Sequence, residues 1–249
     1  MSDIKKLFVE FIQDILKDDP KNSKSFPIKR ETPENRRFLQ LRVLLRGVVP
    51  SVWRSFVVPS DFTFYDLHEI LQIIMDWKNN YLYEFIVKDG TRYRTLSSLK
   101  DNISYCTNDE AANYDLSYLK REGMKCKYTY NLGDSWVHEI VVQNLDYKST
   151  SKQLVFILSG ERKAPPEDCG GIYGYYDIID AIEEQDKDNE LLEKFGKYDP
   201  EYFPIDLYNT KLAAMFGENE KAEQSNVANN KNTKKTVTKK DAAKKSTKE

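Results

Sequence analysis

The residues of this chain best suited to acid–base, thiol or metal chemistry are few and widely spaced. There are two histidines, His68 in "DLHEI" and His138 in "GDSWVHEI". Carboxylates stand near the second, at Asp134 and Glu139, and a further Glu167-Asp168 pair precedes Cys169 in "APPEDCGGIYGY". Histidine, carboxylate and thiolate together suit zinc or another transition metal. The spacing, however, puts no two ligands on one element, since neither HxxxH nor CxxC occurs. His68 falls at the edge of a helical apolar stripe, so a hydrogen-bonded structural histidine is its expected state. Cys169 precedes Gly170-Gly171 and a helix expected near Tyr173; such a position can lower a thiol pKa, but a buried, inert thiol is expected here. "CGGIYGY" lacks the lysine of a phosphate loop, and no GxGxxG follows a strand.

The loop itself is unusual. Pro165-Pro166, Glu167-Asp168, Cys169 and Gly170-Gly171 occupy consecutive positions. Proline stiffens the backbone and glycine permits positive φ, which suits a structural clasp with a tight turn at its end. Its acids are expected to face the "WR" of Trp53-Arg54 and the "DSWVH" of Asp134 to His138, forming one wall of a polar-floored cleft. Arg54 could then hold Glu167 and Asp168 bidentately. The candidate cleft is therefore Trp53, Arg54, His68, Asp134, Trp136, His138, Glu167, Asp168 and Cys169. Packing is the expected role of Trp53, Trp77 and Trp136 in so aromatic a chain. No cofactor and no resident metal are expected; a divalent ion, were one held, would draw on His68, His138, Asp168 and Cys169.

Elements that could position these groups follow from periodicity. Ile4, Leu7, Phe8, Phe11, Ile12, Ile15 and Leu16 mark an amphipathic helix within residues 1–18. A proline-rich, charged linker is expected over 19–35. "FLQLRVLLRGV" alternates as a strand, and "PSVWRSFVVPS" continues extended between prolines. "DFTFYDLHEILQIIMDW" predicts a helix with Thr63 as N-cap and Asp66 closing a capping box. "YLYEFIVKDGTRYR" reads as a hairpin about Asp89-Gly90, and "KCKYTYNLGDSWVHEIVVQNL" as a second one turning at "NLGDS". Residues 97–122 read as partly helical. "QLVFILSGE" is a strand, and "YYDIIDAIEEQ", "DNELLEKFG" and "IDLYNTKLAAMF" are helical. Hairpins with helices grouped outside them predict an α+β domain over 36–217, built on a mainly antiparallel sheet.

The last stretch, 218–249, carries nine Lys against five Asp/Glu, a net of +4, which leaves about −6 for residues 1–217 given −2 overall. Without aromatics or many large aliphatics, "KNTKKTVTKKDAAKKSTKE" is expected to be a disordered, solubilising tail. A nucleic acid is the partner such a tail would attract, and a protein partner is the other expectation. No run of apolar residues is long enough to span a membrane, and the opening residues do not read as a secretory signal. Cys106, Cys126 and Cys169 are expected as free thiols, which suits the cytoplasm.

The segments "LRVLLRGVVPSVWRSFVVP", "FYDLHEILQIIMDW", "YLYEF", "YTYNLGDSWVHEI", "APPEDCGGIYGY" and "YDPEYFPIDLYNTKL", in this order, resemble the plasmid pRiA4b ORF-3-like family over roughly residues 36–215. The resemblance implies an α+β domain of the MM3350-like type. Some members are labelled TnpR-like or insertion-element passengers, which implies an accessory of mobile elements. Where many members read H-L-H, this chain has Tyr81-Leu82-Tyr83; where many read Y-D-F-G-D-x-W-E-H, it has Asn131 and Val137 in place of the acids. The retained residues include Trp53, Arg54, His68, Gly133, Asp134, Trp136, His138 and the Pro166–Gly171 run. A serine resolvase is not expected, because no arginine cluster surrounds a nucleophilic serine. Two functions are carried forward: a non-enzymatic binding or accessory domain, and, as the alternative, a metal-dependent or hydrolytic enzyme centred on His68, His138, Asp134, Asp168 and Cys169.

Overall fold

Seven strands form a single sheet in the order β4-β3-β5-β6-β1-β2-β7, with every neighbouring pair antiparallel. The strands are β1 (Phe38–Leu45), β2 (Trp53–Pro59), β3 (Tyr83–Asp89), β4 (Arg92–Ser97), β5 (Lys125–Tyr130), β6 (Trp136–Asn144) and β7 (Phe156–Glu161). Among the described residues, four helices accompany them: α1 (Phe64–Met75), α2 (Gly171–Glu184), α3 (Glu190–Phe195) and α4 (Ile205–Phe216). The computed structural model describes residues 31–32, 35–89, 92–97, 110–184, 190–195 and 198–217. The amphipathic segment 1–18, most of the linker and the Lys-rich tail lie outside the described residues. The α+β fold expected from the hairpins is the one observed.

The sheet has two unlike faces because side chains alternate along a strand. On β6, Trp136, His138, Ile140 and Val142 are buried, while Val137, Glu139 and Val141 between them are only partly so. On β5, Cys126, Tyr128 and Tyr130 face the core and Lys125 and Lys127 face solvent. The core face is covered by α1, which buries Phe64, Leu67, Ile70, Leu71 and Ile74. Tyr175 and Ile178 of α2 and Tyr208 and Leu212 of α4 belong to the same core.

Helix α1 starts where the sequence predicts. Asp66 N–H donates to Thr63 Oγ1 at 2.9 Å, and Thr63 N–H donates to Asp66 Oδ2 at 2.6 Å. This reciprocal cap satisfies two otherwise unpaired donors, worth about 1 kcal/mol. The helix ends at Asp76, in the left-handed region at φ 59°, a conformation a short polar side chain tolerates. Two expectations take definite form. Within 97–122 the helical structure of the described residues is two short 3-10 turns, Glu110–Asn113 and Leu116–Tyr118, and residues 98–109 lie outside the described ones. Helix α2 begins at Gly171, ahead of Tyr173.

Candidate functional site

His68 is held on both sides by a closed hydrogen-bonded chain. Gln72 Nε2–H donates to Tyr128 Oη at 3.0 Å, and His68 Nδ1 lies 2.8 Å from the same hydroxyl. His68 Nε2 lies 2.8 Å from Asn79 Oδ1. Asn79 in turn donates from Nδ2 to Glu69 Oε1 at 2.8 Å and from its backbone to Gln72 Oε1 at 3.0 Å. An amide oxygen can only accept, so the imidazole carries its proton on Nε2 and accepts the Tyr128 hydroxyl proton at Nδ1. The ring also stacks on Tyr83 at 3.6 Å. Both nitrogens are thus in use, and His68 stands in the structural state expected for it.

Arg54 and His138 form a different buried pair of groups. Arg54 is fully buried. Its Nε–H donates to the Ile74 carbonyl at 3.1 Å. Its Nη1 donates to the carbonyls of Trp53 and Glu161 at 2.8 and 2.7 Å. The guanidinium lies over the Phe203 ring at 3.6 Å, whereas Nη2 has no hydrogen-bond partner. Burial pushes its pKa down to about 9, which leaves it charged at neutral pH. The expected clamp on Glu167 and Asp168 is therefore not made: β2 points Arg54 into the core, where carbonyls at the end of α1 and on β7 take its donors. His138 is also fully buried, packed edge-on against Trp77 at 5.3 Å and beside Tyr128 at 5.3 Å. Neither ring nitrogen makes a hydrogen bond of normal geometry, although the nearby Tyr128 and Trp136 backbones favour the charged ring slightly. Burial, the larger effect, lowers the His138 pKa to about 4, and the charge of Arg54 adds to the lowering.

The proline-rich loop closes over this interior as a clasp. Trp77, stacked on Tyr130 at 5.0 Å, donates its indole N–H to the Pro165 carbonyl at 2.9 Å. Glu167 Oε1 accepts from the Lys78 backbone at 3.0 Å and from the Tyr130 hydroxyl at 2.6 Å. Burial, and then Glu167, hold the Tyr130 hydroxyl protonated well above its ordinary range. Asp168 Oδ1 accepts from the Tyr81 hydroxyl, and that bond raises the Tyr81 pKa. The backbone turns left-handed at Asp168, Gly170 and Gly171, with φ of 60°, 88° and 69°. A Cβ at Gly171 would stand 3.1 Å from the Asp134 carbonyl, and one at Gly174 only 1.7 Å from the Cys169 carbonyl. Both glycines permit the backbone approach that seats the loop. Cys169 is buried beneath it, and burial, reinforced by Asp134, pushes its pKa up to about 12. A thiol so placed is not a nucleophile at neutral pH.

These residues do not assemble as one cleft. Trp53 lies on the opposite face of the sheet from Arg54, as neighbours on a strand must. Asp134 is engaged by Asn131 Nδ2 at 3.0 Å, and Glu167 and Asp168 by tyrosines. Among the described residues, no three of His, Cys, Asp and Glu converge as a metal site. Sequence reading gave Trp77 its packing role but missed the other groups that knit the interior together: Tyr128, Tyr130, Gln72 and Asn79. The signal available was the alternation in "KCKYTY", which sends Tyr128 and Tyr130 inward.

The same alternation sends Lys125 and Lys127 onto the other face. There an open groove of about 580 Å³ is lined by Arg46, Lys88, Arg121, Lys125, Lys127 and Glu139 among others. Lys125 pairs with Glu139 at 3.1 Å and Lys127 with Glu84 at 3.6 Å. Farther across the sheet, the Arg42 guanidinium sits 4.5 Å over the Trp53 ring, and the Trp53 indole N–H donates to Glu161 Oε2 at 3.0 Å.

Comparison with known proteins places this arrangement among relatives. The model of the plasmid pRiA4b ORF-3-like protein family matches residues 37–207. Uncharacterized protein y4hQ of Sinorhizobium fredii is 32% identical over 165 residues, which are 65% of this chain and 82% of the relative. The crystal structure of MM3350 from Methanosarcina mazei, a protein of unknown function, superposes with a TM-score of 0.60 at 27% identity. That similarity covers 70% of this chain and 98% of the archaeal one. Among the described residues, no helix is long and apolar enough to cross a membrane.

Proposed function

The chain belongs to the plasmid pRiA4b ORF-3-like family, and from that premise we propose that it is a non-enzymatic binding domain, an accessory of mobile elements, that meets its partner through the open face of the sheet. One observation carries the reading: the groups suited to chemistry are spent on the interior, whereas the opposite face is polar, grooved and accessible. His68 has a partner on each nitrogen, Cys169 is protonated, and the loop acids are engaged. By contrast, Arg42, Arg46, Lys125 and Lys127 are exposed. The reading puts the domain in the cytoplasm, where buried Cys126 and Cys169 stay as free thiols.

The test is amine footprinting of the full chain, with and without extract of the cells it comes from. Protection of Lys125 and Lys127, with Lys194 and Lys211 on the helical side still reactive, supports the reading. Protection confined to Lys194 and Lys211 overturns it. So does a stoichiometric metal that disappears in a His68→Ala, His138→Ala double variant, because that result favours the enzyme alternative.

A further inference from the structure

Resting on that open-face reading, we infer that the groove and the Arg42–Trp53 pair form a binding site for single-stranded nucleic acid. The site is a strip across the sheet. Lys127 on β5 stands opposite Glu139 on β6, Glu139 opposite Leu44 on β1, and Leu44 opposite Trp53 on β2. Four strands at the usual spacing of under 5 Å give this row a length of roughly 14 Å. At one end stand five cations, Arg46, Lys88, Arg121, Lys125 and Lys127, with two acids, Glu139 and Glu84. At the other stands an indole with a guanidinium 4.5 Å above its ring.

Charge complementarity selects the class of ligand. The body of the chain is acidic, near −6 over residues 1–217, so a cationic strip is a local feature and not the average surface. The ion pairs there do not neutralise it durably: the Lys125 and Lys127 side chains remain 63% and 46% exposed, and such exposed pairs contribute little. A phosphate can take the place of Glu139 or Glu84 at low cost. The aromatic end selects further, because base stacking on Trp and on Arg planes, alongside a basic track, is how open sheets and grooves hold unpaired strands. A duplex hides its base faces and offers them nothing to stack on. The Lys-rich segment 218–249 supplies non-specific charge, whereas the strip supplies the stacking and register.

The experiment uses the full chain and a labelled 20-nucleotide strand of mixed sequence, as DNA, as RNA and as the matching duplex, read by fluorescence anisotropy across a salt series. The inference expects single strands to bind more tightly than duplex, with DNA against RNA showing which is preferred. Lys125→Glu with Lys127→Glu should weaken binding at least ten-fold. It should also reduce the slope of log affinity against log salt by about 1.4, since each lost single-strand phosphate contact removes about 0.7. Trp53→Leu should weaken binding with the salt slope unchanged. Changing all nine lysines of 218–249 to Gln should shift affinity less than three-fold. If the charge reversal disturbs folding by circular dichroism, Lys125→Gln with Lys127→Gln must act in the same direction. A preference for duplex, or binding lost with the tail lysines and kept in the Lys125/Lys127 variant, overturns the inference. Absence of all polyanion binding overturns it too, and footprinting then separates the failures: protected Lys125 and Lys127 leave a protein partner on this face, and their continued reactivity removes the open-face reading itself.

Discussion

Removing the one histidine whose nitrogens find no partner should make the protein less sensitive to acid at small cost to its stability. In the folded chain burial holds the His138 pKa at about 4 against an ordinary 6.5. Unfolded, the same imidazole accepts a proton below about 6.5, so the unfolded state binds more protons and stability rises with pH through this window. The stabilisation is therefore fully present above the unfolded value, declines as pH falls below it, and is exhausted near pH 4. The whole shift is worth about 3 kcal/mol, of which about 2 kcal/mol is gone at pH 5. His138→Leu removes the titration, leaves no hydrogen-bond partner stranded, and gives up an edge-on contact with Trp77 worth about 1 kcal/mol. Urea unfolding followed by the fluorescence of the buried Trp77 and Trp136 reads both effects at pH 7.5, 6 and 5. The variant should lie within about 1 kcal/mol of the parent at pH 7.5 and match or exceed it at pH 5. Contributions from the rest of the chain are common to both proteins and cancel in the difference. A variant that loses more than about 3 kcal/mol at pH 7.5 while keeping the parent's pH slope would refute the reasoning, because the imidazole would then have to be bonded when neutral.

Other substitutions probe the clasp and the His68 network. His68→Ala strands Asn79 Oδ1 and leaves the Tyr128 hydroxyl proton without an acceptor, its oxygen still accepting from Gln72, and should cost about 2–4 kcal/mol in denaturant unfolding; a loss below about 1 kcal/mol would count against the network. Glu167→Gln keeps the Oε1 acceptor for Lys78 and Tyr130 and neutralises the partnerless Oε2. It should therefore be near neutral in thermal unfolding, whereas Glu167→Ala should lower stability by about 1–3 kcal/mol. Gly174→Ala drives a methyl into the Cys169 carbonyl and should cost about 3 kcal/mol or more. It should also release the clasp, raising the reactivity of Cys169 toward a thiol reagent; a silent Gly174→Ala would mean the loop can shift freely.

Much of the backbone was legible because its signals are local. The capping box of Thr63 and Asp66 needs only four residues in sequence, and the hairpin of β5 and β6 needs only alternation about a turn. What stayed illegible is non-local. Arg54 appeared suited to the loop acids, but its partners are backbone carbonyls of Ile74 and Glu161, and no side-chain pattern announces a carbonyl. His68 was legible as structural from its place on the stripe, yet its partners Tyr128 and Asn79 lie 60 and 11 residues away. The candidate cleft mixed both faces of β2 because Trp53 and Arg54 were read as a motif. A strand separates such neighbours by its pleat.

That separation explains why chemistry-bearing residues make a poor guide to this domain. The segments that carry the family resemblance meet one another in the interior: "VWR" through Arg54, "LHEI" through His68, "DSWVH" through His138, and "PPEDC" through Pro165 and Glu167. A buried guanidinium, a partnerless imidazole and a left-handed clasp are costly to maintain. What they secure here is a rigid core face, with Trp77 packed against Tyr130, Trp136 and His138. A rigid core face fixes the opposite face as well, because each inward residue on β5, β6 and β1 sets the position of its outward neighbours. Lys127, Glu139, Leu44 and Trp53 hold their row only while Tyr128, His138, Leu45 and Arg54 beside them stay seated. Substitutions in the interior should therefore disturb binding on the open face only to the extent that they unfold the sheet. Substitutions at Lys125, Lys127 or Trp53 should change binding while leaving unfolding nearly untouched. A domain that binds by its surface requires that division of labour, and one that reacted at its buried histidines would reverse it.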